Sequence, residues 1–464
     1  MRARPRKRMA SSILPHVLLS ATSNFAAAMS SDPRFTISAS PRELDNAHRL
    51  MREGKLAEAE QVFRNILETQ PEQTEALRFL ANAALARGAA GEAVDLLNRA
   101  AAVDRNDIGV LMELGVAYRA ADRRDESRYV LERAVQVGGG HTTARLLLAN
   151  VLELDQRPEL ALAHYFRAIL EAQRAGRWLS DETTEPGLRQ LVKHAMFYVA
   201  EGRRSLFDSA LQPVRERGAA ITRVERALAD YLRETHEPRA DARQRPTFLY
   251  VPALGGAPFL DVSHCAWLDE FRQRVAASGD EIAACLAAPA GSPAGASAFS
   301  LGSLLAAQAP EAVPAERHVQ IYQRGLLHDA PRQHAPRLLA ALGDAPLVHI
   351  PRHGPDAEII ELAGNVRSSL RHGRTNSRCG VAVALPGSAP MRVLVGGEAR
   401  ALEAGEAVVF DPSFGVEYAN DGATPARVLA FEIWHPDLGA DEREALGALT
   451  AAVIEFDGRV QGLD

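Results

Sequence analysis

A large residue followed by a small one recurs every 34 residues along the front half of the chain: Leu80-Ala81, Leu114-Gly115 and Leu148-Ala149. A second set keeps the same period, with Ala59, Ala93, Ser127 and Ala161 as small positions. Four residues beyond each stands a large one (Phe63, Leu97, Leu131, Tyr165), and three further on come Ile66, Ala100, Ala134 and Ala168. Ala47 fills the small position of the first repeat, Gly54 and Gly88 mark turns between helices, and Pro71 ends a repeat. Small residues let two helices approach closely, and large ones fill the gap to the next pair. One such unit cannot bury its apolar face alone, but four in a row can. The period therefore predicts an all-α solenoid of four helix pairs over residues 42–176. Val192, Ala195, Met196, Val199 and Leu206 continue at helical spacing, which predicts a helical cap and spacer over 177–245.

The slots resemble those of the tetratricopeptide repeat (TPR), whose arrays present a concave groove to a peptide. Asn82 and Asn150 follow the small position of their repeats. The resemblance implies that they face the groove; the alternative is a solvated helix asparagine.

After Pro246 the texture changes. Thr247–Val251, Leu347–Ile350, Glu358–Leu362, Gly380–Leu385, Val393–Val395, Ala407–Phe410 and Val428–Ile433 read as short strands between Gly/Pro turns. Many short strands predict a double-sheet jelly roll or barrel over 246–464. An Ala/Pro/Gly/Ser stretch at 287–298 reads as a surface loop. The fold class expected is thus α + β multidomain, a helical solenoid followed by a jelly-roll β-domain.

Bulk properties narrow the function. A net charge of −6 in 464 residues gives no general attraction to nucleic acid or to a membrane surface. Cys265, Cys285 and Cys379 have neither metal-like spacing nor a disulfide pattern, which suits a reducing, cytoplasmic setting. Residues 1–41 read as a disordered or mis-assigned extension. Arg2, Arg4, Arg6, Lys7 and Arg8 precede a mildly apolar run, so a signal peptide is one reading and a start at Met29 the other. No apolar run is long enough to span a bilayer.

Several segments of the rear half resemble the aspartyl/asparaginyl β-hydroxylases in order and spacing. They are RPTFLYVPAL, VQIYQRG, DAPLVHIPRHGPDAEIIEL, RHGRTNSR, EAGEAVVFDPSFGVEYAN and ARVLAFEIWHPDL. The resemblance covers 246–455 and implies a double-stranded β-helix (jelly-roll, cupin-like) that uses Fe(II), 2-oxoglutarate and oxygen to hydroxylate Asp or Asn in peptides. In that family two histidines hold the iron. One lies in the pattern H-x-G-x-x-N and the other in F-D-D-x-x-x-H, while a late arginine binds 2-oxoglutarate.

Carried over residue by residue, Gly373 and Asn376 fill the first pattern, but its histidine falls on Arg371, with His372 one position late. Arg378 matches the arginine that opens the next strand, and a further histidine falls on Ala382. Phe410, Asp411 and Ser413 fill the second pattern, and its histidine falls on Val416. Arg427 matches the 2-oxoglutarate arginine; the alternative for it is an ion pair with Asp411, Glu417 or Glu432. Glu417 should face away from Val416. His328, His334, His349 and His353 read as surface or satisfied histidines.

An arginine and a valine cannot ligate iron. The reading is therefore a degenerate hydroxylase-like domain, with no catalytic residue and no metal ligand assigned. Arg427, Arg378, Asn376, Ser413 and Arg371 are its candidate carboxylate-binding residues, and Asn82 and Asn150 belong to a peptide groove. The expected partners are a peptide or protein at the repeats and a small carboxylate in the β-domain. The alternative is an active Fe(II)/2-oxoglutarate-dependent hydroxylase with a rebuilt metal site.

Overall fold

The computed structural model describes residues 41–288 and 315–463. The extension at 1–40, with its candidate export signal and Met29, and most of the low-complexity stretch at 287–298 lie outside the described residues. The chain divides into two units. One runs to Arg203 and takes in the residues from Arg459 on; the other is Arg204–Gly458.

The first unit is built of helix pairs: α1 (Pro41–Arg52) with α2 (Leu56–Thr69), α3 (Thr74–Ala86) with α4 (Ala90–Val103), α5 (Ile108–Ala120) with α6 (Arg124–Val137), and α7 (Thr142–Leu154) with α8 (Pro158–Arg174). Every slot residue of the 34-residue pattern is buried. Ala59, Ala93, Ser127 and Ala161 have no exposed surface, and neither do Phe63, Leu97 and Tyr165. Gly115 shows why one slot takes glycine: an added Cβ would lie 2.5 Å from Leu131 Cγ on the paired helix. The turn inside each pair needs a left-handed residue. Gly54 and Gly88 supply it (φ 74° and 79°), and 34 and 68 residues beyond Gly88 the same conformation is held by Asp122 and Gln156 (φ 57° and 58°). A side chain is disfavoured there.

The helical spacer expected at 177–245 is not a unit of its own. The boundary between the units falls inside α9 (Arg189–Glu216), and residues from Arg204 onward group with the β-domain. The reason is aromatic packing. Phe207 lies 6.0 Å from Tyr231, on α10 (Thr222–Tyr231), and 6.1 Å from Phe456 on α15 (Ala440–Gln461). Tyr231 in turn stacks edge-on against Phe248.

The second unit holds two antiparallel sheets. The larger has the order β2-β1-β3-β10-β5-β8, and the smaller β4-β9-β6-β7. The strands are β1 (Glu316–Gln323), β2 (Leu326–Leu327), β3 (Ala357–Leu362), β4 (Val366–Arg367), β5 (Arg378–Ala384), β6 (Met391–Val395), β7 (Glu398–Leu402), β8 (Ala407–Phe410), β9 (Val416–Asn420) and β10 (Ala426–Trp434). Strand alternation sorts the side chains. Leu429, Phe431 and Ile433 of β10 face a helical layer made of α11 (Leu268–Ala276), α12 (Gly279–Ala287) and α14 (Pro336–Asp344); α13 (Asp329–His334) precedes α14. Ala426 and Val428 face the other sheet, together with Ala382, Val393, Phe410 and Val416. With both faces covered, β5 is buried throughout. The three cysteines are free and buried. The expected jelly roll is thus present, following the helical solenoid in the chain.

Two expected strands are not strands. Thr247–Val251 contributes the single bridge Leu249–Thr375, and Leu347–Ile350 pairs through Leu347–Ile433 and within its own turn. Both lie across strand ends rather than in a ladder. β1, β7 and β9 were not expected. Their alternation is hidden by charged and polar residues: His318 and Gln320 of β1 face inward, and the edge strand β7 is exposed at four of its five residues.

Candidate functional site

A cavity of about 360 Å³ opens in the β-unit. Glu316, Gln320, Glu358, Gly380, Ala430 and Glu432 of the larger sheet line it, with Val416 and Tyr418 of β9 and the segment around Arg371–Arg374. Arg371 and Val416 stand opposite each other in an antiparallel bridge. Their backbones exchange both hydrogen bonds, Arg371 N to Val416 O at 3.0 Å and Val416 N to Arg371 O at 2.7 Å. Directly opposed residues project from the same face, so the two positions that the family pattern gives to iron ligands share one wall. His372 also lines the cavity, and burial, helped by Arg245, lowers the pKa of its ring.

The loops that carry these positions are held by motif residues. Gly373 lies against Pro412, where a Cβ would sit 2.7 Å from that ring, and its N–H donates to Pro412 O at 2.7 Å. The Asn376 amide donates to Val251 O (2.8 Å) and accepts from Val251 N (2.7 Å). Asp411 accepts from Ser413 N and from Gln244 Nε2, both at 2.8 Å. Arg245 N donates to Ser413 O, and Thr247 N to Gly373 O. Residues 244–251 thus strap both loops together.

Where an iron would be expected, charged groups pair with one another, and Arg371 Nε is left buried without a partner. His318 Nδ1 lies 2.9 Å from Glu358 Oε2, and Nε2 lies 2.8 Å from Glu316 Oε1. Both ring nitrogens meet carboxylate oxygens, so both donate and the ring is an imidazolium. Its pKa is raised, chiefly by the bond to Glu358. Burial works against the Glu358 charge, yet the bonds from His318 and Gln320 leave its pKa lowered. Arg371 Nη2 shares Glu316 Oε1 at 3.0 Å. Its 3.3 Å approach to His318 Nε2 joins two donors on one carboxylate and is not a hydrogen bond between them.

A second polar group lies on the same wall, toward the end of β1. Arg324 and Arg374 line the cavity beside Asp356 and Glu432. Arg378, 3 % exposed, donates to Glu432 at 3.2 Å. His353 is buried, accepting at Nδ1 from Arg374 Nη1 at 3.3 Å, with no partner at Nε2. Burial and then the three arginines push its pKa down to about 2. Burial, with Glu432, raises the Asp356 carboxyl. The expectation that His353 is a surface or satisfied histidine fails on this geometry. No sequence pattern announces it, because a turn rather than a strand buries it.

The other expected site residues divide. Arg371 reaches the cavity, and Arg378 lies beside it through Glu432. Asn376 and Ser413 are buried in the loop scaffold, without a place on the cavity wall. Arg427 lies outside. It shares the face of β10 that carries Leu429 and Phe431, and its Nε donates to Glu361 at 2.6 Å. Its partner is thus Glu361, not the Asp411, Glu417 or Glu432 named for it. Ala382 is sealed in the apolar layer between the sheets. Glu417 pairs with Arg367, on the opposite face from Val416 as alternation requires. In the repeats, Asn150 is 8 % exposed and donates to Tyr165, which takes it out of a groove, whereas the buried Asn82 Oδ1 has no partner. Among the described residues no group of three or more His, Cys, Asp or Glu is placed to hold a metal. No described helix is long and apolar enough to cross a membrane.

Family comparison finds two matches along the chain. Residues 50–112 match the tetratricopeptide repeat, and residues 310–436 match the aspartyl/asparaginyl beta-hydroxylase family. The chain carries a TPR region and an aspartyl/asparaginyl β-hydroxylase domain. No curated protein matches it. Among solved structures, the helical repeats are similar to MamA, at 16 % identity over 35 % of this chain and 92 % of that one, with a TM-score of 0.26. The β-sheets are similar to a cupin domain of an XRE family transcriptional regulator from Enterobacter cloacae, at 16 % identity over 26 % of this chain and 97 % of that one, with a TM-score of 0.19.

Proposed function

We propose that this TPR protein uses its β-hydroxylase domain as a metal-free binding module rather than as an oxygenase. The observation that carries the reading is the pairing of Arg371 and His318 with one carboxylate, Glu316, at the iron position. A guanidinium keeps its proton and repels a cation, and Val416 opposite offers only carbon. The nearby carboxylates and imidazole already neutralise one another, so the donor set does not fit Fe(II). The cosubstrate is no better served, since Arg427 faces away from the cavity and the Ala382 position is closed by packing. What the domain retains is a cavity with charged walls on a rigid scaffold, which is the equipment of a binding site. The repeats add a second surface for a protein or peptide partner.

The test is elemental analysis of the purified full chain, Fe(II) titration by calorimetry, and 2-oxoglutarate consumption. The expected result is no stoichiometric iron and no turnover. Tight iron uptake with 2-oxoglutarate consumption would overturn the reading and point to His372.

A further inference from the structure

The smaller sheet ends on a strand with an open side. Among the described strands β7 pairs with β6 alone, from Val395 opposite Glu398 to Met391 opposite Leu402. Gly396 and Gly397 join the two strands, and both have positive φ, 57° and 86°. This is a two-residue type I′ hairpin, whose flanking pair, here Val395 and Glu398, exchanges both backbone hydrogen bonds. Every second residue repeats that arrangement, so Glu398, Arg400 and Leu402 turn their N–H and C=O groups toward β6. Ala399 and Ala401 turn theirs the other way, where no described backbone group meets them. The outer edge of the larger sheet differs: Leu260 N donates to Val409 O of β8, and Phe259 bridges Phe410.

An open edge is a template for another strand, and the charges on β7 select which one. Glu398 and Arg400 stand two residues apart, on one face of the strand. Glu398 accepts from Arg243 Nη1 at Oε1, 3.1 Å away, and its side chain is half exposed. Arg400 is exposed, with its guanidinium 4.4 Å from the centre of the Phe259 ring, and has no carboxylate partner among the described residues. Two copies of β7 laid antiparallel about Ala399 set Glu398 of each opposite Arg400 of the other. Ala399 then meets its own counterpart with both hydrogen bonds exchanged. The pairs of Glu398 with Arg400 become the non-hydrogen-bonded kind, whose side chains stand closer. Centring on Arg400 instead sets two arginines face to face, which is repulsive. Charges of one sign would guard the edge; these two are self-complementary in one register.

We propose that β7 is a docking edge for the β7 of a second copy of this chain, antiparallel and centred on Ala399, so that the two smaller sheets join across a two-fold axis. The contact is isologous, the same patch serving both copies. It uses one short strand and few side chains, so the dimer is weak and reversible. No residue of β7 lines the cavity, and the proposal stands whether or not the domain binds metal.

The experiment is sedimentation equilibrium of the full chain from about 5 to 500 µM. A reversible monomer–dimer equilibrium is the expected result. Ala399→Pro removes an outward N–H and spares the ladder to β6, since an edge strand tolerates proline where its N–H faces solvent. It raises the dissociation constant at least about tenfold with little change in melting temperature. Arg400→Glu alone sets like charges opposite each other and weakens the dimer by a similar factor. Glu398→Arg combined with Arg400→Glu exchanges the signs and restores the dissociation constant to within about threefold of wild type. A merely structural role for either side chain would not give that recovery. Should Ala399→Pro unfold the domain, the charge reversals decide alone. A monomer throughout the range, a dimer indifferent to Ala399→Pro, or a double variant no tighter than Arg400→Glu would overturn the proposal.

Discussion

Replacing Arg371 and Val416 together by histidine should create a divalent-metal site at this bridge. The two residues form a hydrogen-bonded antiparallel pair, whose Cα atoms lie about 5.5 Å apart with side chains on one face. Two imidazoles so placed converge on one ion. The substitutions are not free. Val416 is 8 % exposed, and a buried imidazole there costs about 1–2 kcal/mol. Arg371 is 40 % exposed on its side chain, so its ion pair with Glu316 is worth about 1 kcal/mol or less. The metal-free double variant should therefore be about 2–3 kcal/mol less stable than wild type. Metal at a hundred times its dissociation constant returns about 2.7 kcal/mol. At about 2–4 °C per kcal/mol for a unit of this size, Ni²⁺ should raise the melting temperature by about 5–10 °C. Chelator should reverse the shift.

The assay is thermal melting of wild type, both single variants and the double variant, each with and without Ni²⁺, followed by calorimetry. The signature is non-additivity. The double variant responds to metal by clearly more than the two singles together, because only it offers two ligands. A response no larger than that sum would mean that the two side chains do not meet, and the assignment of the iron positions to Arg371 and Val416 would be wrong.

Other outcomes follow from the same structure. His318 has a raised pKa, so its stabilisation is fully present below the unfolded value of about 6.5 and is lost as pH rises through the higher folded value; the melting-temperature gap between wild type and His318→Gln should shrink from neutral toward alkaline pH, and a constant gap would exclude the imidazolium. Gln156→Gly should stabilise the repeats by about 1 kcal/mol, since it removes a side chain from a left-handed turn, and a lower melting temperature would contradict the turn geometry. Asn376→Ala should cost about 2–4 kcal/mol by leaving both backbone groups of Val251 buried without partners, as read by chemical denaturation; a loss below about 0.5 kcal/mol would show that the strap does not depend on this side chain.

The repeat array was legible because its signal is redundant. Most slots recur in four repeats, and a helix pair uses the same contacts every time, so Ala93 or Leu131 could be assigned before any coordinates. The jelly roll was legible where one face is apolar, as in β5 and β10. It was not legible in β1 or β7, whose inward or exposed polar residues break the alternation. Arg427 shows the limit of matching by position. One step along a strand exchanges the cavity for the opposite face, and a run such as Ala426-Arg427-Val428 carries no mark of which face is which when both are buried. His353 and Arg324 were missed for a different reason. Both take their roles from turns, and a turn places a side chain by its dihedral angles, which the sequence pattern of a β-domain does not display.

The motif residues that this chain keeps and those it changes fall into two physical groups. Gly373, Asn376, Asp411 and Ser413 all hold one loop against another: glycine under a proline ring, an amide on a backbone, a carboxylate on an N–H. Arg371, Ala382 and Val416 stand where the family pattern has histidines, and none of the three is needed to hold a loop. A match to such a pattern is therefore mostly a match to shape, which these loop-holding residues fix without the three histidine positions. The changed positions are also compensated. Without a counter-charge, Glu316 and Glu358 would be neighbouring, partly buried carboxylates. Here Arg371 and a protonated His318 supply the missing positive charge, at 3.0 and 2.8 Å from Glu316. The cation at this place in the fold is covalently part of the chain and cannot exchange ligands, which supports the proposed binding-module reading.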